Sequence, residues 1–200
     1  MRRQPHTPAE TALLSTLIDE AALIAVMSHT KERNWIYGSM PALVLAQGVW
    51  FPATEATRWQ HPNMKRGQCF MNAFTAVDWL LPEGHMYVEG YASTPHTAGL
   101  PIFHAWAITP DGRPVEVTWN EPGAAYLGIV FEMGFVRRTI SAREKYGVID
   151  NWEKGWPLLK NGLPPDARPP SYHDILNSLD PAEFRREWLG GTFYDEDSNE

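Results

Sequence analysis

The stretch Ile102-Phe103-His104-Ala105-Trp106-Ala107-Ile108-Thr109-Pro110-Asp111-Gly112-Arg113-Pro114-Val115-Glu116-Val117-Thr118-Trp119 decides the fold. Two apolar, aromatic-rich runs flank Thr109-Pro110-Asp111-Gly112. Proline suits the second position of a type I turn, and glycine accepts the positive φ that follows it. This composition predicts a three-residue hairpin loop with a bulge. Thr109 then pairs with Arg113, Trp106 with Glu116, and His104 with Thr118. In that register Phe103, Ala105, Ala107, Val115, Val117 and Trp119 share one face, which is apolar and reads as the core face. Ile102, His104, Trp106, Ile108, Pro114, Glu116 and Thr118 share the other. His104 and Glu116 fall diagonally across two strands, with β-carbons roughly 7 Å apart. A two-residue loop would turn Glu116 onto the apolar face, so the segregation selects the longer loop.

Upstream lies Arg66-Gly67-Gln68-Cys69-Phe70-Met71-Asn72-Ala73, which holds the only cysteine. Phe70, Ala73, Phe74, Val77, Leu80 and Leu81 recur at helical spacing, and Pro82-Glu83-Gly84 stops the pattern. The thiol therefore sits in the first turn of a helix, where N–H groups lack partners and the dipole is positive. Both favour a thiolate. A carboxylate beside an imidazole fixes its tautomer and stabilises its cation. Cys69, His104 and Glu116 thus form a candidate nucleophile, base and orienter, provided the cysteine helix packs across the sheet. Taken singly, each residue has a plainer reading. A lone cysteine is commonly a small buried hydrophobe, a lone strand histidine a satisfied structural group, and a strand glutamate a solvated side chain.

The remaining chain frames this unit. Thr7-Pro8-Ala9-Glu10 carries a capping box, and Leu13, Leu14, Leu17, Ile18 and Ala21 continue a packing helix to about His29. Residues 41–46 and 49–51 read as short extended pieces around Gly48, and residues 52–67 as a polar surface loop. Residues 86–92 and 125–131 read as strands. A helix followed by successive strands implies an α+β fold with an antiparallel sheet packed by the helix that bears Cys69. We expect one domain over 1–200, with its core at about 64–132, a helix over 8–29 and an irregular extension over 135–200. Within that extension, 137–146 suggest a helix and 181–189 a short helix capped by Asp180.

Composition excludes several classes. The chain has 200 residues, 44% of them hydrophobic, with nine tryptophans, enough for a real core. A net charge of -7 argues against nucleic-acid binding, which needs a basic surface. One cysteine allows no internal disulfide and fits a reducing, cytoplasmic compartment. No run of 18 apolar residues offers a membrane span, and the first residues lack a secretory pattern. Cys69, His85, His96 and His104 match no tight zinc spacing, and no phosphate-binding glycine pattern occurs. We expect neither metal nor cofactor. Nothing in the sequence sets an oligomeric state.

His104-Ala105-Trp106 followed by Val115-Glu116-Val117-Thr118-Trp119 resembles the His-Ala-Trp and Val-Asp-Pro-Thr-Trp segments of the transglutaminase-like and papain-like cysteine superfamily. The likeness covers about 67–131. The segments 87–92 and 126–131 are similar to those of small bacterial and phage proteins of this kind. The resemblance implies Cys69 as nucleophile, His104 as general base and acid, and Glu116 where the family carries aspartate. It implies attack on an amide or ester of a peptide or small substrate through a thioester, by a protease, amidase or acyltransferase. An oxyanion would need donors. The Cys69 N–H is one, with Gln68, or Asn63 and Gln60 in the preceding loop, as a second. Asn72 and Trp106 line the pocket in this reading. A non-catalytic binding or accessory protein that retains the fold is the alternative.

Overall fold

Thr7 opens the first helix with a reciprocal cap. Its Oγ1 accepts the Glu10 N–H at 3.1 Å, and Glu10 Oε2 accepts the Thr7 N–H at 3.3 Å. The computed structural model describes residues 5, 7–27, 34–97 and 99–170. Helix α1 (Pro8–Met27) buries Leu13, Leu14, Leu17 and Ala21. The helix expected over 181–189 lies outside the described residues.

Residues 41–46, expected to be extended, belong to helix α2 (Met40–Gln47). Ser39 caps it by accepting the Ala42 N–H at 3.2 Å, and Pro41 sits in its first turn. A short, uniformly apolar run has no period to tell helix from strand. Its cap and its burial against α1 decide for helix.

The strands are β1 (Val49–Phe51), β2 (Thr57–Arg58), β3 (Met86–Ser93), β4 (Ile102–Ile108), β5 (Pro114–Glu116) and β6 (Ala125–Phe131). They form one sheet in the order β1-β6-β3-β4-β5-β2. The fold is α+β, but the sheet is mixed and not antiparallel throughout. β2 adds to β5 in parallel, pairing Thr57 with Val115 and Arg58 with Glu116. A two-residue strand within a polar loop carries too little pattern to be read from sequence.

The sheet is strongly curled. Phe51 on β1 and Trp106 on β4 are three strands apart, a separation of roughly 14 Å in a flat sheet. Their rings instead meet edge-on at 5.7 Å. Two facing glycines allow this approach. Gly90 pairs with Gly128, and a β-carbon on Gly90 would lie 2.2 Å from the Leu127 carbonyl oxygen. A β-carbon on Gly128 would lie 2.6 Å from the Trp106 ring. One face packs beneath the helices through Ala105, Ala107, Val115 and Val117, and the concave face encloses Val88, Trp106, Ile108 and Tyr126. Both faces of the β4–β5 hairpin are therefore buried.

The hairpin has the expected register. Ala107 pairs with Val115 and Ile108 with Pro114. The Thr109 N–H donates to the Arg113 carbonyl at 3.0 Å, and Gly112 adopts φ 85°. The alternation ends at Glu116, however. Its Oε1 accepts the Thr118 and Trp119 N–H groups at 2.8 and 3.0 Å and turns the chain off the ladder. Trp119, expected beside Phe103 on the core face, swings to the histidine side as a result.

Helix α3 (Cys69–Thr75) packs on β4 and runs into a π-turn over Ala76–Leu80, closed by a Leu81 N–H to Ala76 carbonyl bond of 2.7 Å. Helix α4 (Met133–Arg143) starts earlier than the expected 137–146, because Glu132 caps it by accepting the Phe135 N–H at 2.8 Å. Between the two helices expected within the irregular extension over 135–200, the short helix α5 (Pro157–Asn161) also forms.

Candidate functional site

The sequence of β4 puts His104 on the concave face, and Glu116 closes on it from the last residue of β5. His104 Nε2 donates to Glu116 Oε2 at 3.0 Å, with both side chains almost fully buried, at 1% and 0% exposure. The remaining lone pairs of Glu116 are occupied. Oε1 holds the two backbone N–H groups already named, and Oε2 also accepts the Tyr126 hydroxyl at 3.2 Å. That hydroxyl is oriented in turn by the Gly123 N–H at 2.6 Å. Trp119 stacks flat on the imidazole, with centroids 4.0 Å apart and planes 9° apart.

These contacts set the charges. Burial opposes protonation of His104, but the Glu116 carboxylate, the Cys69 sulfur and the hydrogen bonds to both raise its pKa to about 9. Burial pushes the Glu116 carboxyl up. The facing His104 charge and hydrogen bond, with the Trp119 and Thr118 N–H groups, outweigh it and hold the carboxyl below its usual range. Burial and the neighbouring Glu116 raise the Tyr126 hydroxyl, which keeps it a donor. The pair is thus an imidazolium facing a carboxylate.

Cys69 begins α3 and is half-buried. The Cys69 side chain neighbours His104 closely enough to raise the pKa of the imidazole. Two features hold it there. Phe70 packs on Phe103 of β4, with centroids 5.2 Å apart. One turn on, the fully buried Asn72 clamps three segments. Asn72 Oδ1 accepts the Lys65 N–H at 3.0 Å, and its Nδ2 donates to the Lys65 carbonyl at 2.8 Å and to Thr118 Oγ1 at 2.9 Å. The structure thus brings Cys69, His104 and Glu116 together.

The other candidates are placed differently. Asn72 is fully buried and has its amide committed to this clamp. Trp106 is fully buried behind His104, with its Nε1 unpartnered, and forms no accessible wall. Gln68 is exposed at the N-cap, and its side chain makes no capping bond. Two groups had no signal as partners in the sequence. Tyr126, read only as part of a strand, completes the Glu116 shell. Glu89, buried in β3, accepts the Tyr87 hydroxyl at 2.7 Å and the Val148 and Ile149 N–H groups at 2.6 and 2.9 Å. Burial pushes its carboxyl up to about 7, against those hydrogen bonds.

Beside Trp119 a groove of about 990 Å³ opens along residues 58–67 and 117–121. Among the described residues, no three His, Cys, Asp or Glu side chains are grouped to hold a metal ion. No described helix is long and apolar enough to cross a membrane. Chemically, the arrangement offers a thiol, a histidine able to exchange a proton with it, and a carboxylate that fixes which ring nitrogen does so. No family model, no curated protein and no solved structure matches the chain.

Proposed function

We propose that this chain is a cysteine hydrolase or acyltransferase acting on an amide or ester, built on a core like that of the transglutaminase-like and papain-like superfamily. The observation that carries this reading is the buried 3.0 Å His104–Glu116 pair with the Cys69 sulfur against the same ring. A buried ion pair is a poor way to stabilise a core, because desolvating two charges offsets their attraction. A perturbed pair beside a half-buried thiol at a helix start suits chemistry better.

In this reading the Cys69 thiolate adds to the carbonyl carbon. The C–N or C–O bond then breaks as His104 gives its proton to the departing amine or alcohol. Water or an amine next adds to the thioester while His104 takes up its proton, and the C–S bond breaks to return the thiolate. Glu116 keeps the Nε2 proton in place throughout, so that the other ring nitrogen faces sulfur and substrate. The Cys69 N–H is the oxyanion donor at the start of α3.

The test is cleavage of a peptide, amide and ester library by the full chain, read by mass spectrometry, with trapping of an acyl adduct on Cys69. Turnover or an adduct that vanishes in Cys69→Ala supports the reading. Turnover that persists in Cys69→Ala, or alkylation of Cys69 no faster than that of free cysteine, overturns it.

A further inference from the structure

On a chain of net charge -7, the groove beside Trp119 is cationic. Arg58, Lys65 and Arg66 line it together with the rings of Trp59, His61 and Trp119. Its single lining carboxylate, Glu121, faces His96 at 2.7 Å. Among the described residues, the ion pairs leave Arg58, Lys65 and Arg66 without a carboxylate partner. Cations without a carboxylate partner, Arg58 with only the Gln60 amide against its guanidinium, gathered on one wall of an acidic protein mark a surface that attracts an anion.

The wall is also tied to the candidate triad. Arg58 stands in register with Glu116, and the Trp59 N–H donates to the Glu116 carbonyl at 2.9 Å. Lys65 is held by both its backbone groups to Asn72, three residues past Cys69. Trp119 is at once groove wall and the ring stacked on His104. Trp59 and His61 stack at 5.5 Å with planes 9° apart, and the Asn63 N–H donates to His61 Nδ1, which leaves Nε2–H as a donor. The backbone of Lys65 and the flat faces of Trp59 and Trp119 are therefore placed close to Cys69, His104 and Glu116.

We propose that this groove binds an acidic peptide segment, setting its carboxylates against Arg58, Lys65 and Arg66 and presenting the adjoining amide to Cys69. The volume of about 990 Å³ lies at the upper end of the roughly 300–1,000 Å³ that drug-sized ligands occupy. That suits several residues of extended chain better than one small amide. The tryptophan faces pack peptide planes and side-chain stems. The overall negative charge disfavours a nucleic acid, whose backbone would meet repulsion outside this wall. Presentation of the amide rests on the acyl-transfer reading above; recognition of the peptide does not.

The experiment uses the full-length Cys69→Ala protein and blocked nonapeptides that carry glutamate, glutamine or lysine at the same four positions, with a nine-nucleotide single strand beside them. Binding is followed by tryptophan fluorescence and calorimetry. The glutamate peptide is expected to bind about tenfold more tightly than the glutamine peptide, with an advantage that shrinks as salt rises. The double substitution Lys65→Glu/Arg66→Glu, at two exposed side chains, is expected to abolish that advantage with an unchanged thermal melt. Equal binding of the glutamate and glutamine peptides overturns the proposal. So does tighter binding of the lysine peptide or the oligonucleotide, or a preference that survives the double substitution. Alkylation of Cys69 in the unsubstituted chain separates this failure from failure of the triad, because it needs no groove ligand.

Discussion

Replacing Glu116 by glutamine changes one atom and reverses the proton logic of the site. The glutamine Oε1 can keep the Thr118 and Trp119 N–H bonds that Glu116 Oε1 accepts at 2.8 and 3.0 Å. Its amide nitrogen then stands 3.0 Å from His104 Nε2, where a carboxylate oxygen stood. An amide nitrogen only donates, so Nε2 must accept and the ring proton moves to Nδ1. That tautomer cannot take the thiol proton. The magnitude follows from the site. The gap between about 9 and the ordinary 6.5 of histidine, which Glu116 and Cys69 produce together against burial, sets a scale on the order of 3 kcal/mol, a factor of about 10² to 10³. Both partners are buried, so solvent screens little of it. The assay is the rate of iodoacetamide alkylation against pH, unambiguous because the chain has a single cysteine. The unsubstituted protein is expected to alkylate at pH 6 at least about 100-fold faster than Glu116→Gln. Superimposable profiles for the two proteins would refute the reasoning, since Glu116 would then not control the ring.

Stability carries the same signature with a definite sign. His104 binds its proton more tightly folded than unfolded, so its own contribution to stability is full below about pH 6.5 and is lost as pH rises through about 9. Chemical denaturation across this window should show the loss in the unsubstituted chain and a flatter profile in Glu116→Gln. Glu89 acts in a lower window. Its carboxyl is raised from 4.5 to about 7, so folding stability falls between those values as pH rises, and Glu89→Gln should remove that slope. Asn72→Ala strips partners from both Lys65 backbone groups and from Thr118. It should lower unfolding free energy by about 2–4 kcal/mol, read from urea titrations, and slow alkylation of Cys69. Gly90→Ala would drive a methyl to 2.2 Å from a backbone oxygen that cannot rotate away. The cost should exceed about 3 kcal/mol, and a melting temperature near that of the unsubstituted chain would disprove the close strand approach.

Much of the local architecture was legible because its signals act within a few residues. The Thr7–Glu10 cap, the Thr109–Gly112 turn and the strands around Tyr87 and Tyr126 are read from residue types and spacing alone. The turn also sets register, and register put His104 and Glu116 on one face before any tertiary contact was known. Reading failed where pattern was absent. Residues 41–46 are apolar all round and have no period, so Ser39 and the neighbouring helix decide their conformation. Trp119 follows the strand alternation only if the strand continues, and the side chain of Glu116 ends it.

The sequence by itself determined a thiol at a helix start and a histidine and a glutamate brought together by one tight turn. Only the tertiary structure decided that the sulfur meets the ring. That meeting depends on contacts far apart in the chain: the Asn72–Thr118 bond across 46 positions, the Phe70–Phe103 packing, and a sheet curled around Trp106 by two facing glycines. The same is true of the cationic groove, whose Arg58 wall joins Glu116 through a parallel two-residue strand. Such contacts form only when separate elements pack, and no short window of sequence carries their geometry.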